Sequence, residues 1–215
     1  METRTEDRLQ IRDCGVADYR HLLHEQLELH ALRVACRIPD TVLICEHPAV
    51  ITLGARRTAN KLLVGPDQLA ALGIEVVEVA RGGGTTAHNP GQLVFYPILD
   101  LRTRALSAGQ YIRTLETIGR ELLGVLGVQA ETQEGLPGLW VGDRKIASVG
   151  VRIQKGVTFH GMAINIHNDL AIFDLFVPCG LEGVQMTSVL NETGEACPME
   201  TAKKRLAELL LKHLS

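Results

Sequence analysis

The chain has 215 residues, enough for one large domain or two small ones, and its 46% of hydrophobic residues excludes disorder as a description of the whole. Aromatic residues make up only 4%, so the core is expected from Leu, Val, Ile and Ala, and the formal net charge of −3 argues against general nucleic-acid binding. The cysteines at 14, 36, 45, 179 and 197 form no C-x-x-C pair, the start METRTEDRLQ lacks the apolar stretch of a signal peptide, and no apolar run reaches membrane-spanning length. A cytoplasmic location with reduced thiols is therefore expected.

Residues 1 to 8 are polar and are expected to fray. From Asp18 to about Cys36 the spacing predicts a helix with Tyr19, Leu22, Leu23, Gln26, Leu27, Ala31, Val34 and Ala35 on one face. Thr41 to Glu46 and Ala49 to Leu53 are apolar runs that predict strands, followed by a basic loop with Arg56, Arg57 and Lys61. A short helix over Pro66 to Leu72, stopped by Gly73, leads to a strand over Ile74 to Val79. The glycine-rich stretch Arg81 to Gln92 then lies before an extended apolar run, Leu93 to Leu99. It is neither a phosphate loop ending in Lys-Ser/Thr nor a G-x-G-x-x-G opening a helix. Its glycines let the backbone close around a ligand, or simply make a wide loop; Arg81 and His88 favour the ligand.

Ser107 and Gln110 form a capping box for a helix that Gly127 ends. Strands are expected over Val128 to Thr132, Gly138 to Val141, Lys145 to Gln154 and Gly156 to Ile166, with hairpin signals at Gly142-Asp143 and Lys155-Gly156. Leu170 to Phe176 reads as a short helix, and Cys197-Pro198 opens the last one. No linker divides the chain, so residues 1–215 read as a single α+β domain with a mixed or largely antiparallel sheet, helices on one face and site loops on the other.

Two side chains stand out chemically. Cys179 sits between Pro178 and Gly180, a turn setting that presents a thiol rigidly; Lys145 follows the Gly142-Asp143 turn at the head of a strand. A cysteine and a lysine placed by turns are the parts of an activated nucleophile, whereas an arbitrary cysteine is usually buried and inert and a turn lysine is usually solvated. His88, His160 and His167 carry no metal-ligand spacing, so no metal site is expected.

Five segments, in this order, resemble the lipoyl(octanoyl) transferases: EHPAVITLG (Glu46 to Gly54), RGGGTTAHNPGQLVFYPILDL (Arg81 to Leu101), GLWVGDRKIASVGVRI (Gly138 to Ile153), FHGMAINI (Phe159 to Ile166), and PCG with the later TSV (Pro178 to Gly180, Thr187 to Val189). The resemblance implies the fold of the biotin/lipoate ligase catalytic domain, Cys179 as acyl-carrying nucleophile and Lys145 as its catalytic partner. It implies acyl-binding segments at Arg81, Gly82, Gly83, Gly84, Thr85, Thr86, Ala87 and His88, at Ser148, Val149 and Gly150, and at Gly161, Met162 and Ala163. It implies octanoyl-acyl carrier protein as donor, and as acceptors the lipoyl domains of 2-oxoacid dehydrogenase E2 subunits and the glycine cleavage H protein, with no cofactor. The family usually reads H-G-P-G-Q where this chain has His88-Asn89-Pro90-Gly91-Gln92, and an aromatic residue where it has Ala87. The competing readings are an ATP-dependent lipoate or biotin ligase, a non-catalytic acyl-binding module, and a hydrolase using Cys179 with His88 or His160.

Overall fold

A computed structural model describes residues 9–178 and 183–215, so the fraying expected of residues 1 to 8 and the Cys179 turn lie outside the described residues. The elements run β1 (Gln10–Val16), α1 (Tyr19–Val34), β2 (Thr41–Glu46), β3 (Val50–Leu53), α2 (Pro66–Ala71), β4 (Glu75–Glu78), β5 (Thr86–His88) and β6 (Gln92–Ile98). Then follow α3 (Ala108–Val125), β7 (Glu131–Gln133), β8 (Leu136–Val141), β9 (Arg144–Gln154), β10 (Val157–Asn165), β11 (Gln185–Met186), α4 (Val189–Thr193) and α5 (Met199–Leu214). Residues Leu170–Leu175 form a 3-10 turn.

Strand alternation decides the layering. In β2 and β6, Val42, Ile44, Leu93 and Phe95 pack with α3 and α5, while Leu43, Cys45, Val94, Tyr96 and Ile98 pack with Leu22 of α1. The main sheet, in the order β1-β2-β6-β10-β9-β8-β7, is thus covered on both faces. This corrects the expectation of helices on one face only: α1 covers the face that carries the site. A smaller sheet, β4-β3-β5, packs with α2 and the 170–176 turn around Ile51, Leu69, Ala87 and Phe173. Both sheets are mixed, with β1–β2, β3–β4 and β9–β11 parallel and the other pairings antiparallel.

The buried stripe of α1 is Tyr19, Leu22, Gln26 and His30, at helical spacing, and Leu27 lies outside it, 44% exposed. The two polar members are held by strand backbone: Gln26 Oε1 accepts from His160 N at 2.9 Å, and His30 Nε2 lies 3.1 Å from Gln154 O. The capping box of α3 forms, with Gln110 N donating to Ser107 Oγ at 3.3 Å and Ser107 N to Gln110 Oε1 at 2.9 Å. Tyr111, Leu115, Ile118, Leu122 and Leu123 of α3 are fully buried, each contributing roughly 1.5–3 kcal/mol of gross burial.

Val128 to Thr132 does not form the expected strand. Val128 and Ala130 fill the core, but pairing begins only at Glu131. The chain also forms elements that its pattern does not announce, among them β1 at the sheet edge, β5 inside the glycine-rich stretch, and β11 with the short helix α4 that follows it.

Candidate active site

A cavity lies between α1 and the β6–β10–β9 face. Arg81, Gly82, Gly83, Thr86 and His88 line one side, and Ser148, Val149, Gly150, Gly161, Met162 and Ala163 form its floor. The floor comes together by register, since Ser148 pairs with Ala163, Val149 with Met162 and Gly150 with Gly161. A Cβ at Gly161 would sit 2.0 Å from Phe95 O, so only glycine allows β10 and β6 to approach this closely.

Three of the residues expected to bind the acyl group do not line the cavity. Ala87 turns into the smaller core, as alternation requires between Thr86 and His88; Gly84 packs on Ala59; Thr85 Oγ1 donates to Asn60 Oδ1 at 3.4 Å. Four residues not expected from sequence complete the lining: Tyr19, Val94, Tyr96 and His160. Arg81 is buried and braces its own loop, with Nη1 donating to Gly84 O at 2.8 Å and Nη2 to Thr52 O and Oγ1 at 2.8 and 2.7 Å.

Hydrogen bonding fixes the tautomers of two histidines. Gln92 Nε2 donates to Asn165 Oδ1 at 2.9 Å and Ala87 O at 3.3 Å, so its Oε1 is the acceptor for His88 Nδ1–H at 2.7 Å. His88 Nε2 is therefore an acceptor. His47 Nδ1 donates to Ala17 O at 2.7 Å, and its Nε2 accepts from Tyr96 Oη at 2.8 Å. Asn165 Nδ2 continues the first network to Thr187 O at 2.9 Å, and Thr187 N donates to Lys145 O at 2.9 Å. The network thus links the cavity wall to the strand that carries the lysine.

Lys145 is 3% exposed despite its turn neighbours. Its Nζ donates to Pro137 O at 3.0 Å and stands 5.0 Å from the Trp140 ring centroid. The space for its side chain comes from Gly138, whose φ is +126° and whose Cβ would lie 2.3 Å from Ala147 O and 2.9 Å from Lys145 Cε. Buried Glu116 of α3 holds this part of β8 by accepting from Gly138 N at 3.0 Å. Gly138 is the strand partner of Ser148, so Lys145 Cε reaches the level where the cavity floor begins.

Cys179 lies outside the described residues, but both flanks are anchored. Val177 N donates to Lys61 O at 2.9 Å before it, and β11 after it pairs Gln185 with Arg144 and Met186 with Lys145. Asn89, where the family has glycine, ties its loop to the same region: Nδ2 donates to Asp169 O at 2.7 Å, and Oδ1 accepts from Asn168 Nδ2 at 3.0 Å.

Burial keeps the site histidines neutral. His47 is lowered to about 4 by desolvation and His160 to about 3 by desolvation and the Arg81 charge; desolvation also lowers His88 well below its ordinary value. Between pH 6.5 and 4 the unfolded chain binds these protons and the folded chain does not. Stability should therefore be intact above about pH 6.5 and fall with acidification, by about 2 kcal/mol at pH 5 for each of His47 and His160. Urea unfolding at pH 7 and 5 checks this, and a His160→Asn chain should lose about 2 kcal/mol less than the wild type.

Residues 18–211 match the lipoyl protein ligase A/B catalytic domain. Solved structures of that class superpose well: a bipartite lipoate protein ligase from Thermoplasma acidophilum gives a TM-score of 0.70 at 18% identity, over 97% of this chain and 84% of that one. Lipoate-bound LipL1 from P. falciparum gives 0.75 at 14% identity, over 95% of this chain and 62% of that one. These likenesses show the fold. An octanoyltransferase of Syntrophobacter fumaroxidans is 44% identical over 84% of this chain and 79% of its own, and a mitochondrial octanoyltransferase of Arabidopsis thaliana 39% over 96% and 89%. An octanoyltransferase of Roseiflexus sp. is 42% identical over 92% and 84%. The chain belongs to the octanoyltransferase family of these ligase-type catalytic domains. Among the described residues, no group of three or more His, Cys, Asp or Glu is arranged to hold a metal ion, and no helix is long and apolar enough to cross a membrane.

Proposed function

We propose that the chain moves an octanoyl group from an acyl carrier protein to a lysine of a lipoyl domain, by way of a thioester on Cys179. The acceptors are the lipoyl domains of 2-oxoacid dehydrogenase E2 subunits and the glycine cleavage H protein. The observation that carries the reading is the placement of Lys145: a buried lysine whose Cε lies beside Gly138, the strand partner of the cavity-floor residue Ser148, on a strand that also pairs with Gln185 and Met186.

In the first step the Cys179 thiolate attacks the carrier thioester carbonyl, and the carrier thiol leaves with a proton. In the second, the ε-amine of the acceptor lysine attacks the enzyme thioester, an amide forms and Cys179 leaves as thiolate. Lys145 stabilises the thiolate as an ammonium and, after giving up its proton, takes one from the incoming amine. Each buried methylene of the acyl chain contributes about 0.8 kcal/mol. A thioester donor is already activated, so transfer is expected without ATP or Mg²⁺. The fold is shared with a lipoate-protein ligase A bound with ATP, so the test is direct. Octanoyl-carrier protein alone should acylate the lipoyl domain, whereas dependence on ATP and free octanoate would make the chain a ligase.

The exposed basic loop with Arg56, Arg57 and Lys61 pairs through Lys61 O with Val177, two residues before Cys179. A basic segment paired with Val177 suits an acidic carrier. Reversing Arg56 and Arg57 to glutamate should lower kcat/KM about tenfold at low salt and flatten its salt dependence. Unchanged kinetics across salt would show the loop to be merely solvated.

A further inference from the structure

We propose that His160 is the end stop that fits the cavity to an acyl chain of eight carbons, and is therefore a specificity-determining residue. This rests on the reading of the cavity as the acyl site. The floor runs along β10 from Ala163 to His160, three residues, or about 10 Å at strand spacing. An extended peptide spans about 3.5 Å in three bonds, so the seven bonds of an octanoyl chain span about 8–9 Å. With its carbonyl at the Ser148–Ala163 end, level with Lys145 Cε, the chain ends against His160.

His160 is built as a wall. Its backbone is left-handed at φ +56°, unusual for a non-glycine residue within a strand, and its side chain is 1% exposed. Its N–H is tied to Gln26, two helical turns along α1 from Tyr19, so α1 roofs the cavity from one end to the other. Both ring nitrogens of His160 and Nε2 of Gln26 are buried with no hydrogen-bond partner. A longer chain would need to displace the buried ring from its packed position, which disfavours it.

The test is a length series of acyl-carrier thioesters, from hexanoyl to dodecanoyl, on the wild type, His160→Gly and His160→Asn. Glycine and asparagine both accept the left-handed backbone. The wild type should gain about fourfold in kcat/KM per methylene up to octanoyl and none beyond. In His160→Gly the gain should continue to decanoyl, raising the decanoyl-to-octanoyl ratio about fifteenfold over wild type, with His160→Asn in between. A wild type that transfers dodecanoyl as well as octanoyl overturns the stop, as do folded variants that keep the wild-type profile. If the wild type transfers no octanoyl group, the proposed function fails instead. Calorimetric titration of free fatty acids of the same lengths then reads the stop on its own, with affinity rising to octanoate and no further.

Discussion

Cys179→Ser is expected to abolish octanoyl transfer, lowering kcat/KM by about 10³-fold or more. A serine hydroxyl at this position has no accessible anionic form near neutral pH, whereas a thiol paired with a cation, as the proposed mechanism requires, titrates below the free value of about 8.5. The folded state should be little changed, because the substitution is nearly isosteric. The check is a paired assay: transfer to a lipoyl domain, and unfolding by urea. Loss of transfer with an unchanged unfolding midpoint supports the nucleophile. Transfer within tenfold of wild type assigns the chemistry elsewhere, and Cys14, Cys45 and Cys197 are poor substitutes, since burial raises their thiols.

Lys145→Ala should cost about 10²–10⁴-fold, the range of a positioned acid–base group. Its two roles separate by substitution. Lys145→Ala should raise the pH midpoint for alkylation of Cys179 by iodoacetamide and also slow amide formation by a pre-formed acyl-enzyme. Lys145→Arg should hold the alkylation midpoint nearer to wild type yet lose the second step, because guanidinium is no base at neutral pH. The fit of arginine is limited by the space that Gly138 leaves beside Cε, so the acyl-enzyme yield of this variant must be measured first. A wild-type alkylation profile and transfer rate in Lys145→Ala would reduce the lysine to a buried structural residue.

Much of the scaffold is written locally. Continuous apolar runs gave β2 and β6 within a residue of their ends, because fully buried strands leave no polar position to blur them. The capping box, the Lys155-Gly156 hairpin and the Gly73 stop are likewise local codes that the structure obeys, with φ of +52°, +79° and +67° at Lys155, Gly156 and Gly73. What remained hidden depends on contacts distant in sequence. Taken alone, Lys145 reads as a solvated turn residue; its burial comes from Gly138 and Trp140 on β8, with Glu116 on α3 holding that part of the strand. Tyr19 reads as an ordinary core position of α1, since nothing local says that the facing sheet is hollow there. His160 reads from sequence as a polar residue in a buried strand and as one possible hydrolase partner of Cys179; the signal for a cavity wall is its place beside Gly161, where a glycine in a strand marks a close approach. The edge strand β1 is not legible in the sequence because QIRDCGV alternates weakly and four of its residues, Gln10, Arg12, Asp13 and Val16, are exposed.

The most direct measurement is intact mass spectrometry of the protein after incubation with octanoyl-carrier protein, followed by peptide mapping. The central claim predicts one octanoyl mass added per chain, located on the peptide containing Cys179, absent in Cys179→Ser, and discharged when a lipoyl domain is added. An unmodified protein that still transfers octanoyl groups, or an adduct on any other residue, would contradict it.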